Sequence, residues 1–582
     1  MTSLPRALFV SSTLLLVACP SADTGTKDDD TQAGSDRETG RVDDTSETGD
    51  TGDSTAIDTS DTGVVDTGDT GEVVPGLASL AAFPRAMVVN PGATYQVTVL
   101  ATETSGDEHP YVGAAFTSMD EAVATVDASG LVTAVAAGAT RVVVSAEGVE
   151  TGIEVEVRAD LVATVTVVNG STGAPVEGAT VRSASGDFTT DAAGVANVTV
   201  ADAGAITLTA WVDEDHHAVS LVGTVGRQFT IPLDPLADDE PTAEIHGEVD
   251  FGNVPDAEAG QMVMGLACAT VQGAFGMLDI EDLLAENRSI SVYGVDVDVP
   301  SNLFAEGYAD DFYALAWPGT VGVWGLSGPI DIGEVTAGLN GTGDALALLV
   351  SHLDDMVWGK RLGLTAVAGA TTETDFAPEV EFDDTLNAAL PTLPAGFDGT
   401  EQMFLMSADE VSGEGWVVTG LGMGAGVAEV QRVAPGTLAG ATRSAVYAYA
   451  QVGGLGSGGG ASVAVGADDG GLVTFPDMLD VPVVDLWDAG TRSLTITVDP
   501  DASITRASLI DDKGRTHDVY VNGSWSGEVD KSIEEFQRGK ASVRVEVYGG
   551  VRGNFEHWLS QSTFEPDNHE PDTRASVTQA KE

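Results

Sequence analysis

From residue 77 onward, apolar and polar residues alternate with a period of two in short runs. Examples are Tyr95-Gln96-Val97-Thr98-Val99, Ile153-Glu154-Val155-Glu156-Val157 and Val295-Asp296-Val297-Asp298-Val299. Later runs are Leu494-Thr495-Ile496-Thr497-Val498 and Val543-Arg544-Val545-Glu546-Val547. A side chain that is apolar at every second position buries one face of a strand, and the Gly, Asp, Asn and Pro clusters between runs supply turns. Lys513-Gly514 and Asn522-Gly523 suit two-residue hairpins. Helical spacing interrupts this pattern twice. One stretch lies near Ile280 to Glu286; the other starts at Asp344, carries Leu346, Leu349, Val350, Leu353 and Val357 on one face, and ends before Gly359. The pattern predicts an all-β, multidomain chain with a few short helices.

The N-terminal residues follow neither period. Residues 1–18 hold one positive charge, Arg6, and an apolar stretch from Ala7 to Val17 that is too short to span a bilayer as a helix, which predicts a signal peptide. The stretch ends in Leu16-Val17-Ala18-Cys19, which resembles the lipobox of bacterial lipoproteins. The resemblance implies a lipid thioether on Cys19, a membrane held through that lipid, and, with Pro20 and Ser21 following, sorting to the outer membrane. Residues 19–76 then run largely through Asp, Thr, Gly and Ser, with triplets such as Asp61-Thr62-Gly63 and Asp66-Thr67-Gly68. Such a segment buries no core and repels itself, so it is expected to be a disordered acidic linker. It would average about 40 Å end to end as a free coil and reach roughly 190 Å when stretched. The triplet spacing does not match a calcium-binding loop, and weak calcium binding is the one cofactor expectation.

Residues 77–158 contain Phe116-Thr117-Ser118-Met119-Asp120-Glu121-Ala122-Val123-Ala124-Thr125-Val126, then Gly130-Leu131-Val132-Thr133-Ala134 and Gly138-Ala139-Thr140. These resemble the bacterial immunoglobulin-like group 2 domain, with Phe116 where that family usually has tryptophan; the resemblance implies a β-sandwich serving as spacer or adhesive module. Residues 160–235 carry Gly173-Ala174-Pro175-Val176-Glu177-Gly178-Ala179-Thr180-Val181 and Thr189-Thr190-Asp191-Ala192-Ala193-Gly194. They resemble a carboxypeptidase regulatory-like domain, a transthyretin-type sandwich without a peptidase site. A larger β-rich region over 237–483, a further sandwich over 484–561 and a polar tail over 562–582 complete the expected division.

Composition narrows the partners. With 91 acidic against 25 basic residues and a formal net charge of -66, the surface repels phosphate backbones, so no nucleic-acid partner is expected. Two cysteines, Cys19 and Cys268, make no disulfide framework; Cys268 lies in the apolar run Met262 to Ala267 and reads as a buried core thiol. Asp213, Asp215 and His216 are weak metal candidates, because neighbours on an extended chain point to opposite faces. Seven of the eight tryptophans follow residue 300 and read first as core. Gly420-Leu421-Gly422-Met423-Gly424-Ala425 lacks a following helix, and Gly325-Leu326-Ser327-Gly328-Pro329 ends in proline where a nucleophile elbow needs glycine. No catalytic residue is assigned. Two functional readings stand: a non-catalytic envelope lipoprotein whose modules bind a surface glycan or protein, and an exported hydrolase, for example glycan-active, with its catalytic unit in 237–483.

Overall fold

The computed structural model describes residues 76–579 apart from 105–107, 171, 214, 236–242, 279, 281–286, 293–294, 340–344, 400, 454–458, 469, 489–491, 512–514, 530–541, 551–553 and 560–571. Cys19, the linker and most of the helix expected near Ile280 lie outside these residues. The fold is all-β and multidomain, as the alternation predicts. No helix among the described residues is long and apolar enough to cross a membrane.

The first module packs Leu77–Phe83, Thr98–Glu103 and Glu108–Pro110 against a sheet of Ala86–Val89, Val149–Val157, Gly138–Ala146 and Ala115–Ser118. Ile153, Val155 and Val157 are buried while Glu154 and Glu156 between them are exposed, as period two requires. Phe116 is half-buried at the edge of this core and covers Gly130, where a Cβ would stand 2.8 Å from the ring. Gly130 also has φ +84°, so the position excludes a side chain twice over. The turn it closes recurs in the second module. Asp127 Oδ1 accepts from the N–H groups of Ser129 (2.9 Å) and Leu131 (3.0 Å), and Asp191 Oδ1 from those of Ala193 (2.9 Å) and Val195 (3.0 Å). The hydrogen bonds accepted from Ser129 and Leu131 hold the Asp127 carboxyl below its ordinary range.

The second module pairs Val162–Asn169 with Val195–Thr199 and Gln228–Leu233, and faces them with Gly186–Thr189, Thr180–Ser183, Ile206–Trp211 and Ala218–Thr224. It does not end there. Ala218–Thr224 runs parallel to Thr516–Val521, with Ser220 opposite Val519, and the sheet continues through Ile504–Ile510, Ser542–Gly549 and Thr573–Gln579 into Ala461–Ala467. The result is one 15-stranded sheet. Ile504, Tyr520, Tyr548, Phe555, Trp558 and Leu559 share one core with Val165, Leu208, Leu221 and Ile231. The segments expected as separate sandwiches over 160–235 and 484–561 therefore pack on each other.

Three expectations are corrected. Residues 573–579, assigned to a polar tail, form a strand between Ser542–Gly549 and Ala461–Ala467, with Thr573, Arg574 and Ala575 buried. Its polarity is satisfied internally, since Arg574 donates to the carbonyls of Met277 (3.2 Å) and Leu278 (2.9 Å). The helix read from Asp344 up to Gly359 covers Ala345–Ser351, followed by a 3-10 turn at Leu353–Asp355; Val357 begins the strand Val357–Ala366, which pairs with the long strand Gly319–Asp331. Asn522-Gly523 turns the chain from one sheet to another, because Trp525–Glu528 pairs with Ser493–Thr497 and not with the strand before the turn.

In the 237–483 region, Gly319–Asp331 is buried on both faces from Val321 to Ile330. Phe304, Phe312 and Phe376 cover one side; Trp358, Phe404, Trp416 and Tyr447 cover the other. Trp324, Trp358, Trp416 and Trp558 are core residues, and Trp358 Nε1 donates to the Val418 carbonyl at 2.9 Å. Cys268 is 3% exposed; burial pushes its thiol up to about 12, and Asn302 donates to its Sγ at 3.4 Å, so it is an inert core group.

Candidate functional site

The parallel seam between Ala218–Thr224 and Thr516–Val521 brings Ser220 and Thr209 beside His517. Period two turns Ser220 to the outer face of its sheet, beside Thr209 on the neighbouring strand, and the seam brings His517 alongside. Ser220 Oγ lies 2.8 Å from Thr209 Oγ1 and 2.8 Å from His517 Nε2, giving a three-membered hydrogen-bonded chain. His217 Nδ1 accepts from the Thr516 N–H at 2.8 Å and fastens the same seam. A serine on a histidine invites comparison with a hydrolytic dyad. The setting differs, because Ser220 sits mid-strand with Thr209 and Val519 as ladder partners, so its neighbouring N–H groups bond other strands and do not converge on an oxyanion position.

Above this chain opens a cleft of about 540 Å³ between the second module and the strand Trp525–Glu528. Arg182, Asp202, Thr207, Thr209, Ser220, Trp525 and Glu528 line it. Arg182 is fixed by two hydrogen bonds to Asp187, 2.5 and 2.6 Å, with its guanidinium 4.8 Å above the Trp211 ring. The same pairing holds the Asp187 carboxyl below its usual range.

A layer of ion pairs, buried except for the half-buried Arg544, backs the seam. Arg506 donates to Asp518 at 2.6 Å, Arg515 to Asp511 at 2.9 Å and Arg544 to Glu546 at 3.1 Å. A second polar joint fixes the first module. Arg227, fully buried, donates to Asn90 Oδ1 (2.6 Å) and to the carbonyls of Val225, Gly226 and Gly204 (2.7–2.9 Å). Asn90 in turn donates to the carbonyls of Arg158 (2.6 Å) and Asp160 (2.7 Å), clamping the connector between modules. Glu556 accepts from Thr224 (2.7 Å) and from the Val225 N–H (2.8 Å), and burial raises its carboxyl despite these bonds.

That shift has a measurable sign. A carboxyl raised in the folded state binds its proton more tightly there than in the unfolded chain, so its contribution to stability is present at low pH and is lost as pH rises from about 4.5 through the folded value. Glu556→Gln, which cannot ionise, is expected to lose less stability than the wild type between pH 4.5 and neutrality. Urea titrations of both proteins at pH 4.5 and at neutrality check this, and an equal loss of unfolding free energy in the two would refute it.

The sequence candidates fall elsewhere. Asp213 Oδ1 is 2.7 Å from His216 Nδ1 and accepts from the Asp215 N–H at 3.0 Å, so the loop bonds itself. Among the described residues, no three His, Cys, Asp or Glu side chains gather as a metal site. Gly420–Gly424 runs inside the strand Gly415–Gly424, and Ser327, fully buried, donates to the Met264 carbonyl at 3.3 Å. The Ser220–His517 seam escaped sequence reading because its partners are 297 residues apart.

The first module, with its Asp127 turn and Gly130, is the part of the chain that a family model matches. Residues 79–157 match the bacterial Ig-like domain (group 2). This group 2 domain is the part that the Arg227 joint secures. The chain is also similar to domains 5–6 of the S-layer protein SbsC, at 13% identity over 43% of this chain and 91% of that one, with a TM-score of 0.14. For domains 4–9 of the surface layer protein SbsC the values are 11%, 87%, 82% and 0.17. For a tetra-tandem repeat in the extending region of a large adhesion protein they are 12%, 72%, 99% and 0.12. Comparison with curated proteins gives no match.

Proposed function

We propose that this chain is a bacterial cell-envelope lipoprotein, held at the outer membrane by lipid on Cys19, that displays its β-modules for binding or structural contact without catalysing a reaction. The observation that carries the reading is the order of parts: a group 2 Ig-like domain at 79–157 follows an Asp/Thr/Gly-rich segment that separates it from Leu16-Val17-Ala18-Cys19. Two or more acyl chains, at about 0.8 kcal/mol per buried methylene, anchor a protein stably where one chain does not. A linker rich in aspartate suits a spacer, since like charge extends it.

The test is metabolic labelling with an alkyne fatty acid in a two-membrane bacterial host, followed by membrane fractionation and protease treatment of intact cells. The wild type is expected to take up label and sediment with the outer membrane. Cys19→Ser is expected to lose the label and appear in the soluble fraction. An unlabelled wild type, or a labelled Cys19→Ser, would overturn the reading.

A further inference from the structure

We propose that the cleft between the second module and the Trp525–Glu528 strand binds a neutral saccharide of about disaccharide size. The proposal rests on the display reading above and names what the displayed modules hold. A volume of about 540 Å³ lies within the usual range for small-ligand sites.

The floor and walls select the chemistry. The chain His517 Nε2, Ser220 Oγ, Thr209 Oγ1 has reversible polarity. When His517 donates, Ser220 donates to Thr209 and the Thr209 hydroxyl donates onward; when His517 accepts, the direction reverses and Thr209 accepts from the ligand. A group that serves in either sense matches a sugar hydroxyl, which is itself both donor and acceptor. Thr207, exposed on the same strand as Thr209, adds a second hydroxyl at the wall.

Trp525 supplies the platform. Its indole lies flat across Gly527, where a Cβ would stand 2.5 Å from Cζ2, so the glycine is what lets the ring lie down. The ring is half-buried and lines the cleft, leaving a face for the C–H side of a pyranose. Asp202 and Glu528, both exposed at the rim, accept hydrogen bonds from hydroxyls and repel anionic glycans, as does the net charge of -66. The rim therefore disfavours an anionic ligand, and the hydroxyl chain beneath it suits a neutral polyol. Because the cleft is built by segments far apart in the chain, binding there also ties them together.

The experiment titrates the full chain carrying Cys19→Ser, which removes lipid attachment without touching a described residue. The probes are maltose, cellobiose, lactose and N,N′-diacetylchitobiose, read by calorimetry and by thermal shift. At least one is expected to bind saturably at millimolar or lower concentration and to raise the melting temperature. Trp525→Leu is expected to weaken it about tenfold, and Thr209→Val about three- to tenfold. Should Trp525→Leu fail to fold, Thr209→Val, which keeps the branched shape, decides. Absence of binding by all four probes up to about 20 mM, a concentration that detects even millimolar affinity, overturns the proposal. So does binding unchanged in Thr209→Val. Since the assay uses unlipidated protein, its outcome is independent of where the chain is anchored.

Discussion

Arg227→Ala is expected to destabilise the folded chain by about 3–5 kcal/mol and to release the group 2 Ig-like domain from the second module. Arg227 is fully buried and satisfies four acceptors: Asn90 Oδ1 and the carbonyls of Val225, Gly226 and Gly204. Removing the guanidinium leaves those acceptors without water or donor, and frees the Asn90 amide that clamps the connector at Arg158 and Asp160. The Glu556 carboxyl, buried nearby, loses a favourable charge as well. Arg227→Lys is expected to recover little, because a single ammonium cannot reach acceptors arranged around a planar fork. Thermal unfolding measures the first effect; limited proteolysis between Arg158 and Leu161 measures the second. An Ala variant that melts with the wild type and resists cleavage would show that the joint is packed by its apolar neighbours alone.

Gly247→Ala is expected to prevent the 237–483 region from folding, at a cost above about 4 kcal/mol. Gly247 lies in Ala243–Glu248, between Asp311–Ala316 and Thr371–Glu373. A Cβ there would stand 1.5 Å from the Thr374 carbonyl oxygen and 3.3 Å from the Phe312 ring. The first obstacle is backbone, which cannot rotate away, and moving it would break the bond from the Thr374 N–H to the His246 carbonyl. Soluble expression and tryptophan fluorescence read the outcome, since Trp324 and Trp358 share this region's core. Native-like emission from a soluble Ala variant would contradict the geometry.

Local patterns were legible wherever a residue's fate depends on its near neighbours. Alternation located Val149–Val157, Ser493–Thr497 and Ser542–Gly549, because a half-buried strand writes its two faces into successive residues. The Asp turns were legible at Asp191 and Gly194 because an Asx side chain and a left-handed glycine act within five residues. Cys268 was readable as core from its apolar neighbours. The candidate cleft was not. Nothing around Ser220 or Thr209 distinguishes them from other strand hydroxyls, and Trp525 is one tryptophan among eight.

By itself, the amino-acid sequence determined the fold class, the group 2 Ig-like domain and the acidic character of the chain, all properties of short stretches or of sums over the chain. Tertiary structure alone decided that the last strands return to the second module. Parallel pairing of Ala218–Leu221 with His517–Tyr520 joins segments whose own periodicity is complete without each other, so neither announces its partner. The strand Thr573–Gln579 makes the same point. Its buried Arg574 reads as a residue of a solvated tail until distant carbonyls at Met277 and Leu278 supply the acceptors that satisfy its guanidinium.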